Sequence, residues 1–269
     1  MILYLLVMLS AAITVGCFVF IIGYILVNGI PYLTPDLFAW TYSSDNCSMM
    51  PAIINTLMMT GIALLIAVPL GIFAAVYLTE YARKGNRFVK VIRLTTETLT
   101  GIPSIIYGLF GMLFFVNYLG WSYSILAGSF TLAIMVLPVI IRTTEEALIA
   151  VPDSYREASF GLGAGKLRTI FRIVLPPATP GILGGVILAV GRMVGETAAL
   201  IYTSGTITDV AKNVFKSGRT LSVHMYSLSR EGLHMKEAYA TAVVLVAIVL
   251  VINWCSGRIA KKFVVEEGK

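Results

Sequence analysis

Arg192 and Glu196 place charge inside the apolar stretch 181–202. Each would cost about 2.5–3.5 kcal/mol at the centre of a membrane helix, so an intramembrane charge reads first as a functional group. If the stretch is one helix, the i, i+4 spacing puts both on one face. At about 1.5 Å per residue from Ala178, Arg192 is about 21 Å and Glu196 about 27 Å along it, beyond the midplane. Arg192 offers a planar fork of donors suited to a tetrahedral oxyanion. Glu196 would repel a bare dianion but accept a hydrogen bond from a protonated one. Without a ligand the two would neutralise each other. The blander reading is an ion pair that only fixes helix packing.

A second group of polar residues lies in segment 142–176. Ser154 and Glu157 have the Ser-x-x-Glu spacing of a capping box just after Pro152, which predicts a short helix from Tyr155. Gly161, Gly163 and Gly165 interrupt it. Leu167, Ile170, Phe171 and Val174 then recur at i, i+3, i+4, i+7, the apolar face of a second helix, and Pro176 and Pro177 are expected to end it. Helix, glycine break, helix makes a compact knob.

The elements that position these residues follow from composition. Of 269 residues, 58% are hydrophobic and 13% charged, against about 45–50% and about 25% in soluble domains. Spans of about 20 apolar residues fall at about 2–27, 53–78, 102–119, 123–141, 181–202 and 238–255. The first lacks a basic leader and reads as a retained span rather than a signal peptide. Pro69 and Pro138 lie inside two others. The expected fold class is all-α, a polytopic membrane protein of about six transmembrane helices forming one domain over 1–269.

The net charge of +6 reads as basic residues flanking spans rather than a nucleic-acid surface. Arg83, Lys84, Arg87, Lys90 and Arg93 crowd one loop. Arg142, Arg156, Lys166, Arg168 and Arg172 crowd the next on the same side, and Arg258, Lys261 and Lys262 follow the last span. The bias predicts both termini in the cytoplasm. Lys212, Lys216, Arg219, Arg230 and Lys236 oppose it, in loop 205–236, where Leu221, Val223, Met225 and Leu228 are apolar enough to fold back. His224 and His234 have no metal spacing and read as surface residues. Glu97 reads as lining an inner mouth or as a helix-end charge.

Glu157-Ala158-Ser159, with Gly163 and Ile173-x-Leu175-Pro176 after it, resembles the EAA loop of ABC importer permeases, with Ser where Ala is usual. Gly101-Ile102-Pro103-Ser104-Ile105-Ile106-Tyr107-Gly108, Arg142-Thr143-Thr144-Glu145-Glu146 and Gly191-Arg192-Met193-Val194-Gly195-Glu196-Thr197-Ala198-Ala199 are similar to signatures of the phosphate-specific branch, PstA type. The resemblance implies a type I ABC importer permease architecture. It implies half of a translocation pathway, completed by a homologous PstC-type permease. An ATPase subunit dimer would carry ATP and Mg, and an extracytoplasmic phosphate-binding protein would deliver substrate. The site would be a bacterial or archaeal cytoplasmic membrane. Ser154, Tyr155, Arg156, Glu157, Ala158 and Gly163 would couple to the ATPase, with Arg192 and Glu196 in the substrate pathway. Phosphate keeps a hydroxyl proton near neutral pH and sulfate does not, so the pair would admit the first and reject the second. The run 161–166 lacks the first Gly and the final Ser or Thr of a P-loop; the chain is expected to bind no nucleotide, metal or other cofactor and to catalyse no reaction. The alternatives are a permease for sulfate or molybdate and an ion-coupled secondary transporter.

Overall fold

The computed structural model describes residues 2–83 and 85–266; Lys84 of the basic loop lies outside them, as do the side chains of Lys261 and Lys262. The elements are helices α1 (Ile2–Gly29), α2 (Met50–Tyr81), α3 (Arg87–Thr100), α4 (Ser104–Tyr118), α5 (Ile125–Ile149), α6 (Asp153–Gly161), α7 (Lys166–Val194), α8 (Ala198–Ile201), α9 (Leu221–Glu231) and α10 (Met235–Glu266). Five are long and apolar enough to cross a membrane, and six spans result if α3 and α4 count as one bent pair.

Burial ranks the spans. Two-thirds of the most apolar window of α5 is buried, a third of that of α2, and none of that of α1. α5 is therefore the central post, and α1 shows its apolar side chains to the surroundings. α2 meets α5 along Met59, Ala63, Ala67, Gly71 and Ala75, all buried and spaced by four. A Cβ on Gly71 would stand 2.6 Å from the Ile140 side chain. α7 approaches α5 in the same way, with Gly185 pressed against Thr143. In lipid, where apolar side chains gain little from leaving the solvent, close backbone approach over small residues is how helices pack.

The predicted third and fifth spans are revised. Ser104–Tyr118 is shorter than the expected 102–119, about 22 Å at the α-helical rise. It meets α3 at 103°. Pro103 explains the break, because it cannot donate to the ladder and holds the preceding residue out of helix. Tyr107 Oη donates to Leu99 O at 2.8 Å and pins the corner. α7 begins at Lys166 and ends at Val194, against the expected 181–202. Pro176 and Pro177 do not end a helix. They follow a π-helical turn, Ile170–Val174, and enter the α-helical segment at its first turn, where a missing N–H costs least. Thr169, Ile170 and Val174 are buried while Leu167 and Phe171 are exposed, so the expected apolar face is rotated.

Loop 205–236 folds back onto the bundle, as its apolar residues suggested. It closes the end opposite α6. Ile125 N–H donates to Lys216 O at 2.9 Å and Leu126 N–H to Val214 O at 2.8 Å, so the loop satisfies donors that the first turn of α5 leaves free. Asn55, fully buried in α2, donates to Asp209 O (3.0 Å) and Arg219 O (3.3 Å) and accepts from Ala211 N–H (3.0 Å). Asn55→Ala should orphan these groups and destabilise the loop by about 2–3 kcal/mol. Hydrogen exchange at Ala211 and through 209–224 should accelerate while α2 itself stays protected.

Candidate functional site

α6 leaves the bundle where α5 ends. It begins at Asp153, with Pro152 at the N-cap position and no side-chain cap. The expected capping box is absent: Ser154 lies inside the first turn, because the ring of Pro152 fixes the entry and the Asp153 carboxylate favours the helix N-terminus. At the other end Gly163 takes φ +80°. Its N–H donates to Phe160 O at 2.9 Å, and Ala164 N–H donates to Ser159 O at 3.1 Å, a Schellman closure. Nothing lies within 4 Å of a Cβ placed on Gly163, so the backbone angle, not space, selects glycine there.

Arg156 ties α6 to the spans. Its Nη2 donates to Glu80 Oε1 at 2.7 Å and to Leu148 O at 2.9 Å, and its Nη1 to Val151 O at 2.8 Å and Asp153 Oδ1 at 3.2 Å. One guanidinium thus joins the end of α2, the end of α5 and the start of α6. The Arg156 and Glu80 side chains are 14% and 9% exposed, so solvent screens the pair little. Glu80 was not among the sequence candidates. The available signal was a lone carboxylate closing an apolar span on the side where Arg156 was expected. Ser159, the departure from the usual Ala, lies 2.8 Å from Thr169 Oγ1 in a buried hydroxyl pair that joins α6 to α7.

The other knob residues face outward. Ser154, Tyr155, Glu157, Ala158 and Gly163 are exposed, and so are Phe160 and Leu162. A cavity of about 630 Å³ opens between α6 and α7, lined by Tyr155, Ala158, Leu162, Arg168 and Arg172. An apolar ridge beside two arginines offers a partner both hydrophobic and acidic complementarity.

Arg192 and Glu196 do not form the expected pair. α7 ends at Val194, and Gly195 caps it. Glu196 therefore sits past the helix end and off the Arg192 face. Its carboxylate is buried and accepts from Ala199 N–H at 3.1 Å, capping α8, while its carbonyl accepts from Ser222 Oγ at 2.6 Å. The ion pairs of the described residues join Arg93 to Glu145, Arg142 to Glu97 and Glu146, Arg156 to Glu80 and Asp153, and His234 to Glu237. None involves Arg192, which is half-buried in the last turn of α7. Glu97 is exposed on α3, 3.9 Å from Arg142; this network lines a small notch at the α6 end of the bundle.

His224 is also corrected. It is fully buried in α9, with Tyr42 edge-on at 6.1 Å. Burial, with the Arg219 cation as a second cause, pushes it down to about 3, so the ring is neutral near neutral pH. Arg219 is itself 4% exposed and is no solvated loop charge.

A bundle of apolar helices built on small-residue stripes, with a short helical knob at one end, is the architecture of a polytopic membrane protein. The profile of the family described as "Binding-protein-dependent transport system inner membrane component" matches residues 67–264. The chain belongs to that family, the membrane components of ABC transporters. It is 36% identical to a probable ABC transporter permease protein, YqgI, of Bacillus subtilis, over 94% of both chains. It is 36% identical to the phosphate transport system permease protein PstA 1 of Mycobacterium tuberculosis, over 77% of this chain and 68% of that protein. It is 34% identical to PstA of Haemophilus influenzae, over 85% and 82%. Among solved structures, a bacterial alginate ABC transporter matches with a TM-score of 0.71 at 17% identity, over 97% of this chain and 94% of that one. The MetNI methionine transporter matches at 0.65 and 22%, over 82% and 99%. The fold is that of ABC importer permeases.

Two outcomes are expected in the assembled transporter. Glu80→Ala and Arg156→Ala should each uncouple ATP hydrolysis from transport, and the double variant should be no worse than Arg156→Ala alone, because either single change already breaks the same buried pair at a cost of about 3–5 kcal/mol. Additive losses in a transport and ATPase assay would show that the two act separately. Gly163→Val should impair coupling with the spans intact, read as lost stimulation of the ATPase by substrate.

Proposed function

We propose that the chain forms half of the translocation pathway of an ATP-driven phosphate importer. The carrying observation is that its relatives named as phosphate permeases match over 77–85% of its length. Arg192 is compatible chemistry: a partly buried guanidinium with no carboxylate partner among the described residues has donors to offer an oxyanion. Glu196 contributes differently from the expectation. Its carboxylate accepts from Ala199 N–H and fixes the corner after Arg192.

The remaining pathway half would come from a homologous PstC-type permease. The exposed apolar face of α4, with Ile105, Ile106, Leu109, Phe110 and Leu113, supports a helix-lined interface there. An ATPase subunit dimer, carrying ATP and Mg, would dock on α6, and an extracytoplasmic phosphate-binding protein would deliver substrate at the opposite end. Both termini then lie in the cytoplasm, and the membrane is the cytoplasmic membrane of a bacterium or archaeon. Closure of the ATPase dimer moves α6, and the Arg156 link carries that motion into α2 and α5. Whatever binds one state of the bundle better shifts the balance toward it. The chain itself catalyses no covalent step.

Vesicles holding the full assembly test the reading. They should take up labelled phosphate only with ATP, untouched by excess sulfate, and Arg192→Ala should abolish uptake while the subunits still assemble. Uptake competed by sulfate or molybdate would assign another oxyanion. Uptake without ATP would remove the importer reading.

A further inference from the structure

Arg219 is a buried charge that no carboxylate among the described residues pairs with. It is 4% exposed, and its Nε and Nη2 are buried with no hydrogen-bond partner among the described residues. Its guanidinium lies 4.6 Å from the Tyr42 ring centroid. A cation–π contact offsets part of the desolvation cost, but it satisfies none of the N–H groups lying in the guanidinium plane. A buried guanidinium with free donors is costly when its counter-charge is missing.

The position is held from several sides. Arg219 N–H donates to Ile207 O at 2.9 Å, and its carbonyl accepts from Asn55 at 3.3 Å. Tyr42 is flanked by His224 on its other contact, and the neutral imidazole adds no charge. Arg219 lines a cavity of about 520 Å³ at the end of the bundle opposite α6. Around it stand Arg230, the hydroxyls of Thr206, Thr208 and Ser227, and one carboxylate, Glu231. The lining therefore carries two guanidiniums against one carboxylate, with the Thr206 and Thr208 side chains beside them.

We propose that this cavity is an oxyanion site, separate from Arg192, in which Arg219 and Arg230 hold inorganic phosphate as it enters the permease. The proposal rests on the phosphate reading above. Arg219 provides the fixed, desolvated positive charge, where a charge-assisted hydrogen bond is strong. Arg230, exposed on α9, is the second contact. Glu231 disfavours a fully ionised anion and keeps the site weak enough to release its ligand, as a pathway site must. The cavity is also tied mechanically to the segment after Arg192. Ile201, the last residue of α8, lines it, and Glu196 caps the first turn of that helix. Ser222, on the helix that carries Arg230, donates to the Glu196 carbonyl.

The test is equilibrium binding of labelled inorganic phosphate to the assembled transporter in lipid nanodiscs, with the binding protein left out. Part of the binding should persist in Arg192→Ala, which removes the pathway guanidinium and leaves this cavity. Binding should weaken about 10- to 100-fold in Arg219→Gln and in Arg230→Gln, the loss of one hydrogen bond to a charged group. Arg219→Lys should weaken it less than Arg219→Gln, and Glu231→Gln should tighten it. Because Arg230 and Glu231 are exposed, their variants report on the site even if the buried Arg219 variants fail to fold. Equal binding in wild type, Arg230→Gln and Glu231→Gln would overturn the proposal, as would complete loss in Arg192→Ala. Wild-type vesicles that import phosphate while showing either result would reject this site alone. Wild-type vesicles that import no phosphate would reject the reading beneath it.

Discussion

A guanidinium removed from water must be met by something, and in this chain three buried or half-buried arginines are met in three different ways. Arg156 is met completely, by one carboxylate of α2, two carbonyls at the end of α5 and the acid at the start of its own helix. That arrangement makes α6 part of the bundle rather than an appended loop. Arg156, the Ser159–Thr169 hydroxyl pair and the covalent chain all join α6 to the spans. Among the described residues Arg192 and Arg219 are met by no carboxylate, and both lie away from the α6 end. The internal counter-charge of the described residues therefore gathers at the α6 end.

The bundle itself rests on a different principle. Small residues every fourth position in α2, and glycines facing α5 in α7, bring backbones together. This packing leaves room for prolines. Pro69 and Pro138 sit inside α2 and α5, and a π-helical turn precedes the proline pair of α7. Three spans carry such π-helical turns near their ends. They let a helix change the face it presents without ending, which is how Pro176 and Pro177 come to lie within one continuous span.

The opposite end is closed by a loop whose order depends on a few polar residues rather than on apolar area. Asn55 alone satisfies three backbone groups from that loop. His224 and Arg219 stay buried because the loop folds over them, and Tyr42 lies between them. The basic residues of loop 205–236 that opposed the orientation expected from charge bias are thus of two kinds. Lys212, Lys216, Arg230 and Lys236 are exposed, whereas Arg219 is a buried element of the structure.

The sequence by itself determined the class. Composition and the length of the apolar runs demanded a membrane bundle, because no soluble core of this size could hide them, and the Glu-Ala-Ser…Gly spacing located the knob and its outward-facing residues. Several features depended on packing that no local pattern encodes. Arg192 and Glu196 look like one helical face only while the helix continues; a backbone break at Gly195 separates them. Ser154 and Glu157 fit a capping box, but Pro152 starts the helix earlier. Glu80 and Arg156 are far apart in the chain and meet only when α2 and α5 pack. His224 and Arg219 read as loop residues until the loop turns inward and Asn55 pins it. Spacing reports which residues can share a local face, and the chain's own contacts at long range decide whether that face exists and what answers the charge upon it.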